Sequence, residues 1–341
     1  MEVKIKYSFI IPVKEINDYI RESIPKILKI QRTDYEIIIY SDIINDKYQA
    51  RKVRQIATGH IGPAEKRSLA IRDAKGKILI FIDDDAYPEK NLLSILDKDF
   101  EDCGIVAVGG PAITPKDDGF WQKVSGAVLS STAGGNSERY VPKGKKRYVD
   151  DWPSVNLAVR KNDFVTIRGF NNQYWPGEDT LLCLDLLKKT KGKIIYDPNL
   201  IVYHHRRCGL IKHLKQISQY GLHRGFFAKK YPETSFKFKY FIPSIFFLYN
   251  FFFLVSGIFY LFQPAKFGSL IKILSFGYFI YFLSLIKAFS DIYKYEKNIL
   301  IGLNALYYIF LTHVVYGFQF IKGFVFTKKL KSKLRSKKFK N

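Results

Sequence analysis

Short apolar runs alternate with helical patterns through the first two hundred residues. The run "YSFIIPV", Tyr7 to Val13, is ended by a proline, and apolar positions at Ile20, Ile24, Ile27 and Leu28 predict a helix from Tyr19 to Ile30. A second β-branched run, "YEIIIYSD", ends in Asp42, and a helical stretch from Glu65 to Ala74 leads into the strand pattern "KILIFID". Strands alternating with helices predict a parallel sheet with helices on both faces. Ligands of such sheets bind beyond the carboxyl ends of the strands, where Asp42 and Asp83 to Asp85 fall. "IVAVGGPAI" predicts a further strand closed by Gly110 and Pro111. Gly134, Gly135, Gly144 and the basic run "KGKKR" then predict a long polar loop. "NLAVR" reads as a strand, and a helix from Glu178 to Lys188 and a strand at "KIIYDP" complete this region.

The pattern changes after residue 240. Phe241 to Phe262 carries no charge over a length that matches the roughly 20 residues needed to cross a bilayer. Gly268 to Ile286 is similar and holds only Lys272, near one end, where it can snorkel. Ile299 to Ile321 has no formal charge but contains Asn304, His313 and Gln319, so it is either a span or an interfacial helix. The expected organisation is an α/β domain over 1–230, an interfacial junction over 231–240, a membrane region over 241–326 and a basic tail over 327–341. Three full spans would place that tail outside, against the tendency of Lys and Arg to stay cytoplasmic, which favours an even number of crossings. The lack of a signal peptide before Tyr7 leads to the expectation of a multi-pass protein of the cell membrane with a cytoplasmic N-terminal domain.

Charge sharpens this picture. The chain has 341 residues and a formal net charge of +24, and the last fourteen residues, "KKLKSKLRSKKFKN", hold eight basic groups and no acid. A basic arm beside apolar helices points to anionic membrane lipids, and the scarcity of aromatics in it speaks against nucleic acid. Cys103, Cys183 and Cys208 have no paired spacing, which fits a reducing compartment and neither a disulfide framework nor a zinc site.

Against this basic background the stretch "ILIFIDDDAYP", Ile78 to Pro88, sets three aspartates at a strand end. Carboxylates so close repel and raise one another's pKa, and a cation relieves the repulsion. Hard divalent ions such as Mg²⁺ or Mn²⁺ take such oxygen ligands and complete their shell with water and substrate phosphates; the plainer alternative is a solvated acidic turn. Lys66 and Arg67 lie on a helix just before this strand, where a basic group could meet phosphate. "WPGEDTLLCLDL" opens a helix with Glu178 and Asp179, which serve either as favourable charges at the positive end of the helix or as a base. "YHHRR", Tyr203 to Arg207, offers two imidazoles and two guanidiniums in a row.

Taken in order, "IIPV", "EIIIYSD", "AKGKILIFIDDD", "PSVNLAVRK", "IRGF" and "WPGEDTLLCLDL" resemble glycosyltransferase family 2 from about Tyr7 to Lys230. The resemblance implies a GT-A fold, a Rossmann-like mixed α/β sheet for nucleotide-diphospho-sugars, here followed by transmembrane helices. It implies that Pro12 and Lys14 lie beside the nucleotide, that Asp42 contacts the base, and that Arg67, Asp83 and Asp84 contribute to donor binding. Asp85 and Asp83 would hold Mg²⁺ or Mn²⁺, His204 or His205 would join them, and Arg206 or Arg207 would complete the diphosphate site. Asp179 would be the general base with Glu178 beside it. The implied activity is inverting transfer from a UDP- or GDP-sugar to a lipid-linked or other membrane-associated acceptor. Another metal-dependent nucleotide-handling membrane enzyme, such as a nucleotidyltransferase, would leave Glu178 and Asp179 without a role, and a non-catalytic scaffold would make the acids dispensable. The Gln-x-x-Arg-Trp motif of processive synthases has no match; "QYGLHRGF" lacks the tryptophan.

Overall fold

The structure is a computed structural model that describes residues 4–135, 137–171 and 174–330. Residues 331–341 of the basic tail lie outside the described residues. The chain divides into two compact units, one of residues 4–115 and 138–205, the other of residues 116–137 and 206–330. This partition differs from a cut at residue 230, because the helices Phe120–Ser130 and Leu210–Lys230 both fall with the long apolar helices.

The first unit is built on strands β1 (Tyr7–Pro12), β2 (Tyr35–Ser41), β3 (Val53–Ala57), β4 (Ile78–Phe81), β5 (Ala86–Pro88), β6 (Ile105–Gly109), β7 (Ala112–Ile113), β8 (Arg147–Val149), β9 (Leu157–Arg160), β10 (Lys193–Tyr196) and β11 (Val202–His204). Eight of them form one sheet in the order β3-β2-β1-β4-β9-β6-β10-β8, and β5-β11-β7 form a second, small sheet. The large sheet is mixed. The half from β3 to β4 is parallel, whereas β9 runs antiparallel to both β4 and β6. The mixed sheet that the resemblance implies is thus borne out; the parallel arrangement expected from strand and helix alternation holds from β3 to β4 and is broken at β9, because "NLAVR" enters the sheet from a loop rather than from a crossover helix.

Side chains alternate between the two faces of the central strands, and both faces are buried. Tyr7, Phe9, Ile11, Ile37, Ile39, Ile78 and Ile80 join one apolar core, and Ile10, Ile38, Tyr40, Leu79 and Phe81 join the other. This is why β1, β2 and β4 read as continuous apolar runs. One helix, Asp18–Ile27, buries Ile20, Ile24 and Ile27 and is capped by the Asn17 side chain, which accepts from Ile20 N. Between β3 and β4 the expected single helix is two short ones, Pro63–Ser68 and Ala70–Asp73. Trp152 is fully buried beneath β6: its Nε1 donates to Gly110 O at 2.9 Å, and a Cβ on Gly109 would come within 2.2 Å of its ring.

The second unit contains three helices long and apolar enough to cross a membrane, Phe238–Phe262, Pro264–Glu296 and Ile299–Phe326. Several of their polar groups pair within the unit. The Tyr281 hydroxyl lies 3.1 Å from His313 Nδ1, His313 Nε2 lies 2.9 Å from Ala133 O, and the Tyr278 hydroxyl donates to Asn250 at 2.9 Å. Glycine lets two of these helices cross closely, since a Cβ on Gly317 would stand 2.1 Å from Pro243 O.

Candidate active site

The central strand β4 lies parallel to β1, with Tyr7 opposite Ile78 and Ile10 opposite Phe81. After Phe81 the chain turns through Asp83, Asp84 and Asp85 into β5. Antiparallel pairing of β5 with β11 sets His204 opposite Ala86, which returns an imidazole to the acidic turn. His204 Nε2 lies 3.1 Å from Asp85 Oδ1. Asp83, Asp85 and His204 each offer one ligand atom, and the three atoms lie within 4.8 Å of one another. Two carboxylates and an imidazole are a donor set that fits a divalent cation such as Mn²⁺ or Mg²⁺.

Asp84 is separated from its neighbours by the turn. Asn17 Nδ2 donates to its Oδ2 at 2.6 Å, so the residue that caps the helix Asp18–Ile27 also holds this carboxyl. Burial, then the charge of Asp85 and more weakly that of Asp83, push Asp84 up to about 6, against the Asn17 hydrogen bond. His205 diverges from His204, because successive residues of an extended chain face opposite ways. Its backbone N–H donates to Asp85 O at 3.0 Å, while its ring sits 3.2 Å from a Glu22 carboxylate oxygen and 5.1 Å from the Tyr19 ring centroid. Of the two histidines proposed as ligands, the structure groups only His204 with Asp83 and Asp85.

Beyond the end of β2, Asp42 is bound by the Lys66 ammonium, which also donates to Val13 O at 2.5 Å. His60 Nδ1 lies 3.0 Å from the other Asp42 oxygen. Burial works to raise the Asp42 carboxyl, but Lys66 and His60 outweigh it and hold it below the usual carboxylate range. Lys66 is therefore engaged inside the protein, being 3% exposed, rather than standing free for a phosphate. Pro12 is buried at the end of β1, and Lys14 is exposed, with its carbonyl accepting from Asp42 N at 2.9 Å. Arg67, 4% exposed, bridges two carboxyl groups: Nη2 to Asp83 Oδ1, and Nη1 to Glu178 Oε1 at 3.3 Å.

Glu178 and Asp179 open the helix Glu178–Thr190, whose preceding residue, Gly177, has φ 101°, a conformation that glycine adopts without strain. Asp179 accepts from Ser154 N at 3.3 Å and Thr180 N at 2.8 Å. Glu178 is 6% exposed, and burial with the adjacent Asp179 charge pushes its carboxyl up to about 8 although Arg67 opposes the rise. Arg206 and Arg207 belong to the second unit, where Arg206 N donates to Asp118 Oδ2 at 3.3 Å and Arg207 O accepts from Ser125 Oγ at 2.8 Å. Sequence reasoning missed Asn17 and Glu22. Asn17 could have been found from its place directly before Asp18 and the amphipathic helix.

A mixed α/β domain with acidic groups gathered past the ends of parallel strands is what the topology and the site define. Residues 8–160 match the family model described as Glycosyl transferase family 2. The resemblance read from the motifs is thus shown over that segment, which is similar to family 2 glycosyltransferases. Poly(ribitol-phosphate) beta-N-acetylglucosaminyltransferase TarS of Staphylococcus aureus is 27% identical over 121 residues, 31% of this chain and 21% of that protein. The match therefore spans about a fifth of the length of that relative. Among solved structures, the mannosyltransferase PcManGT from Pyrobaculum calidifontis, in complex with GDP-Man and Mn²⁺, aligns with TM-score 0.46 and 15% identity, covering 64% of this chain and 62% of the other. A crystal structure of S. aureus TarS in complex with UDP-GlcNAc aligns with TM-score 0.43 and 18% identity, covering 64% and 66%.

Proposed function

We propose that this protein is an inverting glycosyltransferase that moves a sugar from a UDP- or GDP-sugar to a membrane-associated acceptor, such as a polyprenyl-linked saccharide or polyprenyl phosphate. The observation that carries the reading is the convergence of Asp83, Asp85 and His204 at the end of a buried strand in a family 2 domain. Asp85, Asp83 and His204 would hold a divalent cation, and when bound it neutralises charge that grows on a departing nucleoside diphosphate. Asp42, kept ionised by Lys66, accepts hydrogen bonds from the base of the donor. Asp179, its carboxylate oriented by two backbone N–H groups, takes the proton from an acceptor hydroxyl. Glu178 holds the Arg67 guanidinium against Asp83 and so acts through Arg67. Attack in line by the acceptor oxygen inverts the anomeric carbon in one displacement. A phosphate acceptor arrives already deprotonated and asks little of Asp179.

The three long apolar helices support a membrane location and a lipid-borne acceptor. The relative's printed name makes a nucleotide donor of N-acetylglucosamine the first to try. The test is incubation of purified protein with labelled sugar nucleotides and membrane lipid extract, followed by NMR assignment of the anomeric configuration of the product. Label in the lipid phase with inverted configuration is expected. Retained configuration, or label confined to free sugar with every acceptor, would overturn the reading.

A further inference from the structure

At the opposite end of the parallel strands from the acidic turn, where β2 begins, lies an open pocket of about 440 Å³. Leu28 and Ile30 form an apolar wall, and Arg32, Arg51 and Lys52 supply three cations. β2 runs from Tyr35 to Ser41, seven residues, so Asp42 lies roughly 23 Å along the strand at about 3.3 Å per residue. The cavity is accordingly a different place from the donor site.

Charge is not balanced there. Arg32 is fully committed, with Nε to Asp34 Oδ1 at 2.9 Å, Nη2 to Asp34 Oδ2 at 2.6 Å, and Nη1 to Asp97. Those acids are thereby engaged, and Arg51 and Lys52 are left as surplus cations. Arg51 is exposed and has no hydrogen bond or ion pair among the described residues. Lys52 donates one N–H to Arg32 O and stands 3.8 Å above the Tyr35 ring centroid, with no carboxylate in contact among the described residues. Its backbone has φ 62°, a left-handed conformation uncommon for lysine, and its carbonyl accepts from Ile37 N at 3.0 Å. The strained residue thus fixes the lysine at the mouth of β2 through both its backbone and its ammonium. Burial and the neighbouring Arg51 lower the Lys52 ammonium from its ordinary value, with Asp34 opposing.

We propose that this pocket is a second ligand site, which binds a phosphate monoester between Arg51 and Lys52 with the organic part of the ester against Leu28 and Ile30. Two surplus cations match the dianion, the planar guanidinium suits paired phosphate oxygens, and the volume admits a small organic phosphate. The phosphate can be soluble or belong to a lipid headgroup. Neither case depends on the transferase reading.

The probe is inorganic phosphate, then glycerol phosphate, titrated at constant ionic strength with EDTA onto the full chain in neutral detergent and followed by ³¹P line broadening. Saturable binding is expected in wild type and in Asp85→Ala, with affinity lowered at least about tenfold in Arg51→Glu, which alters an exposed side chain. Lys52→Gln should weaken binding as well, and thermal unfolding identifies any variant that fails to fold. A lipid source is indicated if reconstitution with phosphatidic acid, but not phosphatidylcholine, displaces the soluble probe. The proposal is overturned if wild type shows no saturable binding, if Arg51→Glu binds like wild type, or if Asp85→Ala alone abolishes binding.

Discussion

Replacing Glu178 with glutamine isolates the energetic consequence of burying a carboxyl beside the acidic site. The glutamine has the shape of the protonated acid and cannot ionise. Burial and the Asp179 charge raise Glu178 from 4.5 to about 8. The folded protein therefore keeps a proton that the unfolded chain releases above pH 4.5. Stability from this group is fully present below that pH and is lost as pH rises through about 8. At about 1.36 kcal/mol per pKa unit, the loss amounts to roughly 3–5 kcal/mol between pH 5 and pH 9. With ~2–4 °C per kcal/mol for a domain of this size, the wild type should lose on the order of 10 °C of midpoint more than Glu178→Gln over that interval. The assay is thermal unfolding by near-UV circular dichroism across this pH range, in detergent with EDTA. Arg67→Met should move the wild-type fall to higher pH, since the guanidinium is the group that opposes the rise. Parallel pH profiles for wild type and Glu178→Gln, or a less stable glutamine variant at pH 9, would refute the reasoning.

Three further outcomes are expected. Asp85→Ala should abolish sugar transfer while circular dichroism shows an intact fold, and removal of its charge should bring the Asp84 carboxyl down toward the ordinary range, readable by ¹³C carboxyl NMR. Asp179→Asn should lower kcat by about 10²–10⁴ with a hydroxyl acceptor and by less than about tenfold with a phosphate acceptor, as steady-state rates would report. Asn17→Ala removes both a helix cap and the hydrogen bond to Asp84, so it should cost about 1–3 kcal/mol, seen as a lower unfolding midpoint.

What the sequence revealed was set by range. β1, β2 and β4 are legible because each is buried on both faces and so is uniformly apolar, and the long helices are legible because their apolar length is itself the signal. The antiparallel entry of β9 is not, since four residues of "LAVR" carry no mark of direction. Strand alternation alone would set Asp84 apart from Asp83 and Asp85, but the residues occupy a turn, and Asn17 rather than the pleat accounts for where Asp84 goes. His204 and His205 are indistinguishable by type and adjacent in sequence. Only the three-residue pairing of β11 with β5 and the distant Glu22 tell them apart. Lys66 and Arg67 looked available for phosphate, whereas each is buried on a carboxylate from another element, a contact that no local pattern encodes.

The central claim is tested most directly by the product that leaves a sugar nucleotide. Purified protein with Mn²⁺ or Mg²⁺, a membrane-lipid acceptor and a panel of UDP- and GDP-sugars should release nucleoside diphosphate, and release should cease with EDTA or in Asp85→Ala. Release of pyrophosphate, or undiminished turnover in Asp85→Ala, would contradict it.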